Sequence, residues 1–136
     1  MLGDGVNLAA RLESLTKRYQ VPIVVGESTY SKVRNMVYRE LDKVKVKGKT
    51  VPVRIFQPLG PEDKLNWSDM SELEHFHSAL DAYRSVRWNE AMSLFTALQS
   101  QADYHRLCEI YLGYLRDLKA NPPGDDWDGS FTLYEK

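Results

Sequence analysis

The feature of this sequence that most restricts its fold is a change in hydrophobic periodicity near the middle of the chain. In residues 1–58 the apolar positions switch between helical spacing and the period of two that is typical of a half-buried strand. From residue 72 onward the spacing is helical throughout. The two patterns predict a mixed region followed by a purely helical one.

The first region predicts the order helix, strand, helix, strand, strand, and therefore an α+β fold. The predicted elements are a helix to about Arg18, a buried strand at Ile23–Val25, a helix over 27–34, a half-buried strand over 38–47 and a strand over 51–58. In the strand over 38–47, Leu41, Val44 and Val46 belong to the apolar face. Asp42 is grouped with the lysines on the polar face.

Residues 59–71 are predicted to be a polar, turn-rich connection at a domain boundary. The helical module covers 72–120, and 121–136 form an aromatic C-terminal tail that is expected to pack on the helices. The apolar positions of the three predicted helices are Phe76, Ala79, Leu80 and Tyr83, then Ala91, Leu94, Phe95 and Leu98, then Leu107, Ile110, Tyr111, Tyr114 and Leu115.

Composition excludes several classes of protein. The chain is 43% hydrophobic and 27% charged, and 18 basic against 19 acidic residues give no reason to expect nucleic acid or an anionic membrane as a partner. Cys108 is the only cysteine, which excludes an internal disulfide and suits a cytoplasmic location. No stretch approaches the roughly 18 apolar residues of a membrane span, and no signal peptide is evident. An anchor of a larger membrane-bound parent would lie outside this sequence.

Asn7 and Arg11 are the first candidates for a functional site. They are four residues apart, so on the predicted helix they project from the same face. Arginine offers a planar fork of donors to phosphate oxygens, and asparagine offers a neutral amide that can orient a sugar. Such a pair standing alone is usually part of a solvated helix face.

The segment Gly3–Glu13 resembles the signature of class III adenylate and guanylate cyclases, and further matches follow in family order. These are Ser14–Lys17, Ile23–Val25, Arg39–Asp42, Val46–Lys49 and Pro52–Phe56. The resemblance implies that Asn7 and Arg11 stabilise the transition state when the ribose 3′-hydroxyl of ATP attacks the α-phosphorus. It also implies that Lys47 or Lys49 contacts the terminal phosphates, and spacing does not choose between them.

The same resemblance implies that two divalent metals, Mg²⁺ or Mn²⁺, are held by aspartates that precede the signature. The chain is then the C-terminal fragment of an adenylate cyclase, with a partial ferredoxin-like catalytic subdomain, no metal site of its own and no activity alone. The residues that select the base also lie upstream, so adenine and guanine are not distinguished here. Because the family's site forms between two subunits, the expected partners are a second copy or a complementing cyclase half.

Other polar residues have structural interpretations. Asp4 is interpreted as a helix cap and Lys43 and Lys45 as the solvent side of a strand. His75, His77 and His105 lack the spacing of a metal site, and Cys108 is expected to be buried and inert.

The helical region resembles a tetratricopeptide repeat at its small and aromatic positions, Ala79, Tyr83, Ala91, Phe95 and Leu98. Leu112-Gly113 resemble the start of a further, incomplete repeat. An ordinary helical hairpin is the alternative. The alternative function for the whole chain is a non-catalytic, helical protein-interaction module or a degenerate gene product.

Overall fold

The computed structural model of the protein describes residues 14–32, 35–46 and 51–133. These residues form an α+β fold with five α-helical segments and one four-stranded sheet. The chain divides into two compact units. The sheet unit contains the residues up to Lys64 together with those from Phe131, and the helical unit is Leu65–Ser130.

The sheet unit follows the predicted order of elements and adds a C-terminal strand. Its elements are α1 (residues 14–19), β1 (Val25–Gly26), α2 (Glu27–Lys32), β2 (Met36–Val46), β3 (Val53–Pro61) and β4 (Phe131–Leu133). The strand order is β1-β3-β2-β4, with antiparallel pairs except for the parallel pair β2–β4. The core contains Leu15, Tyr19, Val21, Val24, Leu41, Val44, Ile55 and Phe56.

The predicted buried strand at Ile23–Val25 is only partly right. Ile23 is 53% exposed, and the strand begins at Val25 and includes Gly26. The side chains that reach the core here are Val21 and Val24. Their spacing of three does not fit a strand, so the chain enters the sheet only where Val25 and Gly26 pair with Phe56 and Ile55.

A β-bulge in β2 changes which side chains face the core. Glu40 pairs with Phe56 and Asp42 pairs with Ile55, so Leu41 is an extra residue between two successive pairs. Leu41 and Asp42 are consequently both buried, at 0% and 1% exposure. The prediction that Asp42 lies on the polar face is therefore wrong, because strict alternation breaks at this position.

The predicted connection over 59–71 contains regular structure. β3 continues to Pro61, a 3₁₀ turn covers Glu62–Lys64, and α3 (Trp67–Arg84) starts five residues before the predicted position 72. A capping box explains the early start of the helix. The Asn66 side chain accepts a hydrogen bond from the Asp69 N–H at 2.7 Å, and the Asp69 carboxylate accepts one from the Asn66 N–H at 3.2 Å.

The helical unit consists of α3, α4 (Trp88–Leu98) and α5 (His105–Ala120) around an aromatic core. Phe95 stacks on Tyr111 with ring centroids 4.9 Å apart, and Phe76 contacts both rings edge-on. The predicted apolar positions are buried in all three helices, except that Leu94 is half-buried. The helical periodicity therefore located this core correctly.

The C-terminal tail contributes to both units. The Trp127 ring lies 5.4 Å from Tyr83 and 6.2 Å from Trp88, which confirms the expected packing of this residue on the helices. Phe131 instead begins β4, in register with Val44 of β2. Tyr134 lies outside the described residues.

Candidate functional site

The residues that the sequence selected for catalysis and phosphate binding, Asn7, Arg11, Lys47 and Lys49, lie outside the described residues, as does Asp4. The structure does describe the elements next to them in sequence. Residues 14–19 form α1 three residues after Arg11, and β2 ends at Val46 immediately before Lys47. The roles of the four residues stay predictions.

A buried hydrogen bond connects these two elements. The Tyr19 hydroxyl of α1 donates to Asp42 Oδ2 of β2 at 2.6 Å, and the Lys43 backbone N–H donates to Asp42 Oδ1 at 2.8 Å. Tyr19 and Asp42 are each 1% exposed. Since a buried carboxylate needs donors, the pair fixes the end of α1 against the bulged part of β2.

A second buried polar pair lies in the β2–β3 hairpin. Arg39 is 5% exposed and Gln57 is 9% exposed, and the two are directly opposite each other in the antiparallel register. Arg39 Nη2 donates to Gln57 Oε1. Leu41, the extra residue of the bulge, follows Glu40 directly. The Arg39–Gln57 contact therefore lies before the bulge and the Tyr19–Asp42 contact lies after it.

On another part of this unit, Arg54 joins an aromatic group. Tyr30 stacks on Phe56 with centroids 4.0 Å apart, and the Arg54 guanidinium lies 5.3 Å from the Phe56 centroid. Arg54 also pairs with Glu27 at 3.5 Å and Glu40 at 3.6 Å. The contacts of Tyr30 and Glu27 hold α2 to β3, and Tyr30 remains 38% exposed.

The charge of the chain is strongly segregated along the sequence. Residues 1–64 contain twelve basic and seven acidic residues, a net charge of +5. Residues 65–130 contain five basic and eleven acidic residues, a net charge of −6. The overall charge of −1 hides this difference, so near balance is a poor guide to what each unit binds.

The helical unit carries a groove between the start of α3 and the end of α4. Its volume is about 430 Å³, and its lining residues are Trp67, Ser68, Ser71, Glu72, His75, Leu94, Ala97, Leu98 and Gln101. Trp67 is 83% exposed, the highest value among the large hydrophobic residues described. Sequence reasoning missed Trp67 because it lay in a predicted loop. The Asn66-x-x-Asp69 cap was the available signal.

Within residues 14–32, 35–46 and 51–133, no group of three or more His, Cys, Asp or Glu side chains could hold a metal ion. Cys108 is fully buried, as expected. His105 Nδ1 lies 3.1 Å from the Gln99 carbonyl oxygen. No helix in the described part of the chain combines the length and the apolar character needed to cross a membrane.

The fold and the charge pattern define a protein with a basic α+β unit and an acidic helical unit. No family model matches the chain, and no solved structure matches it significantly. The chain is 34% identical over 99 residues to the terminal-differentiation-specific adenylate cyclase of Dictyostelium discoideum, covering 69% of this chain and 5% of that protein. It is 42% identical over 64 residues to an adenylate cyclase of Anabaena cylindrica, covering 42% of this chain and 12% of that protein. The chain is thus related to adenylate cyclases, of which its matches span a small part.

The longer match reaches into both units. It covers 69% of 136 residues, which is about 94 residues. A continuous segment of that length must include residues 43–94 wherever it begins. The similarity to the Dictyostelium protein therefore extends through β3 and α3 into α4, and it is not confined to the sheet unit.

Proposed function

We propose that this chain is the C-terminal part of a class III adenylate cyclase catalytic domain followed by a tetratricopeptide-like helical module. In the complete enzyme it acts in the conversion of ATP to cyclic AMP and pyrophosphate. The observation that carries the proposal is the similarity to two adenylate cyclases, combined with the Asn7/Arg11 signature. The net charge of +5 over residues 1–64 adds support, because the substrate is a polyanion.

The proposed roles follow from where charge develops. The ribose 3′-hydroxyl loses its proton to solvent, its oxygen bonds to the α-phosphorus, and the bond between that phosphorus and the bridging oxygen of pyrophosphate breaks. Arg11 donates to the α-phosphate oxygens, on which negative charge accumulates, and Asn7 orients the ribose. Lys47 or Lys49 binds the terminal phosphates and stabilises the departing pyrophosphate.

Mg²⁺ or Mn²⁺ would activate the 3′-hydroxyl and neutralise the triphosphate in the complete family site. The described residues contain no cluster suited to such an ion, and we assign none to them. The aspartates expected to hold it precede the signature. We therefore propose that the chain is inactive by itself in the cytoplasm and acts through an oligomer with a second copy or a complementing cyclase half.

Complementation tests this function. The purified chain is mixed with a full-length class III cyclase whose residue corresponding to Arg11 is replaced by alanine, and cyclic AMP formation from ATP and Mn²⁺ is followed. We expect the mixture to regain activity, because the chain supplies the missing arginine. Arg11→Ala in the chain should lower the regained rate by about 10²-fold or more, as for loss of one transition-state donor.

Lys32→Ala is the matched control, since Lys32 is an exposed basic residue on α2 outside the segments that match the cyclase signature. It should leave the regained rate unchanged. Equal rates with the wild-type chain and Arg11→Ala, or no regained activity, would reject the catalytic role. Cyclic AMP made by the chain alone would reject its inactivity.

A further inference from the structure

The groove between α3 and α4 is apolar on the side of α4 and polar on the side of α3. On the α4 side Leu94, Ala97 and Leu98 give an apolar floor, and Leu98 is buried. On the α3 side Glu72 and His75 give a polar wall. Trp67 stands at the first position of α3 with 83% of its surface exposed. An indole left this open to water offers both its face and its edge to a partner.

The electrostatics of the groove select for cations. Glu72 is the one lining residue with a full charge, and neither lysine nor arginine is among the lining residues. The surrounding unit has a net charge of −6. A basic segment in the groove would gain from the negative face of the Trp67 ring at one point and from the Glu72 carboxylate at another.

We propose that this groove binds a basic segment of a partner protein. One arginine or lysine of that segment lies over the Trp67 indole, and a second basic side chain pairs with Glu72. A neighbouring aliphatic side chain of the segment covers Leu94 and Ala97. An acidic segment is repelled by the charge of the unit, and a purely apolar one leaves Glu72 without a partner.

This binding surface is independent of the catalytic proposal, because every residue in it belongs to the helical unit. Six of its nine lining residues, from Trp67 to Leu94, lie within residues 43–94, which the match to the Dictyostelium adenylate cyclase must include. The proposed surface is thus a docking site carried next to a cyclase-related unit.

The test is a titration of the full chain, followed by ¹H–¹⁵N NMR, with two short synthetic peptides. One carries arginines around a single leucine, and the other has glutamates in place of the arginines. We expect the arginine peptide to shift the Trp67 indole N–H and the amides of Ser71, Glu72 and Gln101. The glutamate peptide should not shift them. Raising the salt to about 0.5 M should weaken the arginine complex severalfold.

Two substitutions locate the contact. Trp67→Ala should lower the affinity for the arginine peptide about tenfold, which corresponds to about 1.4 kcal/mol of binding free energy. Glu72→Gln should weaken it about threefold, in the range of an exposed ion pair. Glu74→Gln removes the same charge from an exposed position of α3 outside the groove, and it should change the affinity less than twofold.

Several results would overturn the proposal. Equal binding of the two peptides, or equal affinities with Trp67→Ala and the wild-type chain, would show that the groove does not select a cationic partner. Sedimentation of the chain alone provides the last comparison. If the chain self-associates and Trp67→Ala abolishes that association, the occupant is a second copy and the proposed partner is wrong. A sedimentation coefficient that is the same for both chains supports the proposal.

Discussion

At the level of single residues, the buried carboxylate of Asp42 depends on its donors. Burying a charge without partners costs several kcal/mol, whereas a hydrogen-bonded carboxylate is tolerated. The Tyr19 hydroxyl at 2.6 Å and the Lys43 N–H at 2.8 Å both donate to Asp42. Removal of the Tyr19 hydroxyl leaves the carboxylate buried with one donor fewer, which costs more than the hydrogen bond itself contributes.

Tyr19→Phe should therefore lower the free energy of unfolding of the sheet unit by about 1–3 kcal/mol. Amide hydrogen exchange of the β2–β3 hairpin measures this directly. Tryptophan fluorescence would not, since Trp67, Trp88 and Trp127 all belong to the helical unit. Tyr30→Phe is the control, because Tyr30 is 38% exposed, and it should change the free energy of unfolding by less than about 0.5 kcal/mol. Similar losses in the two variants would contradict this account.

The burial of Asp42 also shows why residue-level prediction failed in β2. In a strand without a bulge, neighbouring side chains point to opposite faces of the sheet. A buried Leu41 would then place Asp42 on the solvent face. The spacing of three between Leu41 and Val44 was a sign of the slip, but the same spacing also fits a helix. Only the register against β3, which pairs Asp42 with Ile55, shows that Leu41 is the extra residue.

At the level of elements, two glycines of the helical unit have opposite structural roles. Gly113 lies inside α5, where an added Cβ would meet Arg116 Nη2 at an ordinary 3.7 Å. Gly129 lies in the tail, two residues after Trp127, and has a φ of +82°. An added Cβ at this position would lie 2.9 Å from Arg84 Cγ. Alanine is thus compatible with the first position and strained at the second.

Gly113→Ala should stabilise the helical unit by about 0.5–1 kcal/mol, because alanine loses less backbone entropy in a helix. Gly129→Ala should destabilise it by about 1–2 kcal/mol. Thermal unfolding followed by tryptophan fluorescence compares the two variants with the wild-type chain. A Tm that rises for Gly129→Ala would show that the tail does not hold Gly129 against Arg84, and a Tm that falls for Gly113→Ala would contradict the expected gain in helix stability.

The elements differ in how far the sequence could predict them. Helices α3 to α5 were predictable, because their cores repeat at local spacing and an Asn-Pro-Pro-Gly stop follows α5. β4 was not, because it has three residues and pairs in parallel with β2 about 87 positions earlier, as in Val44 with Phe131. The tail was predicted to pack on the helices as a whole. Trp127 does so, whereas Phe131 lies in the sheet, where its ring centroid is 4.4 Å from the Arg18 guanidinium carbon.

At the level of the whole molecule, the adenylate cyclase relationship was predictable because short motifs recurred in a fixed order, and the two relatives confirm it. The class III assignment and the roles of Asn7, Arg11, Lys47 and Lys49 stay predictions. The groove could not be predicted, since it depends on how the end of α4 meets the start of α3. The two opposite net charges, +5 and −6, were countable from the sequence but only gain meaning once the unit boundary at Lys64 is known.

The charge pattern leads to a prediction about where nucleotide binds. ATP added to the full chain should shift NMR signals of residues 1–64 and leave those of residues 65–130 unchanged, because a triphosphate is attracted to the basic unit and repelled by the acidic one. AMP should bind more weakly than ATP, since it lacks the terminal phosphates.

Two double substitutions distinguish a specific phosphate site from general attraction to a basic unit. Each removes two positive charges, but only one of them removes the lysines that are predicted to contact phosphate. Lys47→Ala combined with Lys49→Ala should lower the affinity for ATP about tenfold or more. Lys43→Ala combined with Lys45→Ala should lower that affinity less than about threefold. Equal effects would mean that attraction by net charge, without a phosphate site at Lys47 and Lys49, accounts for the binding.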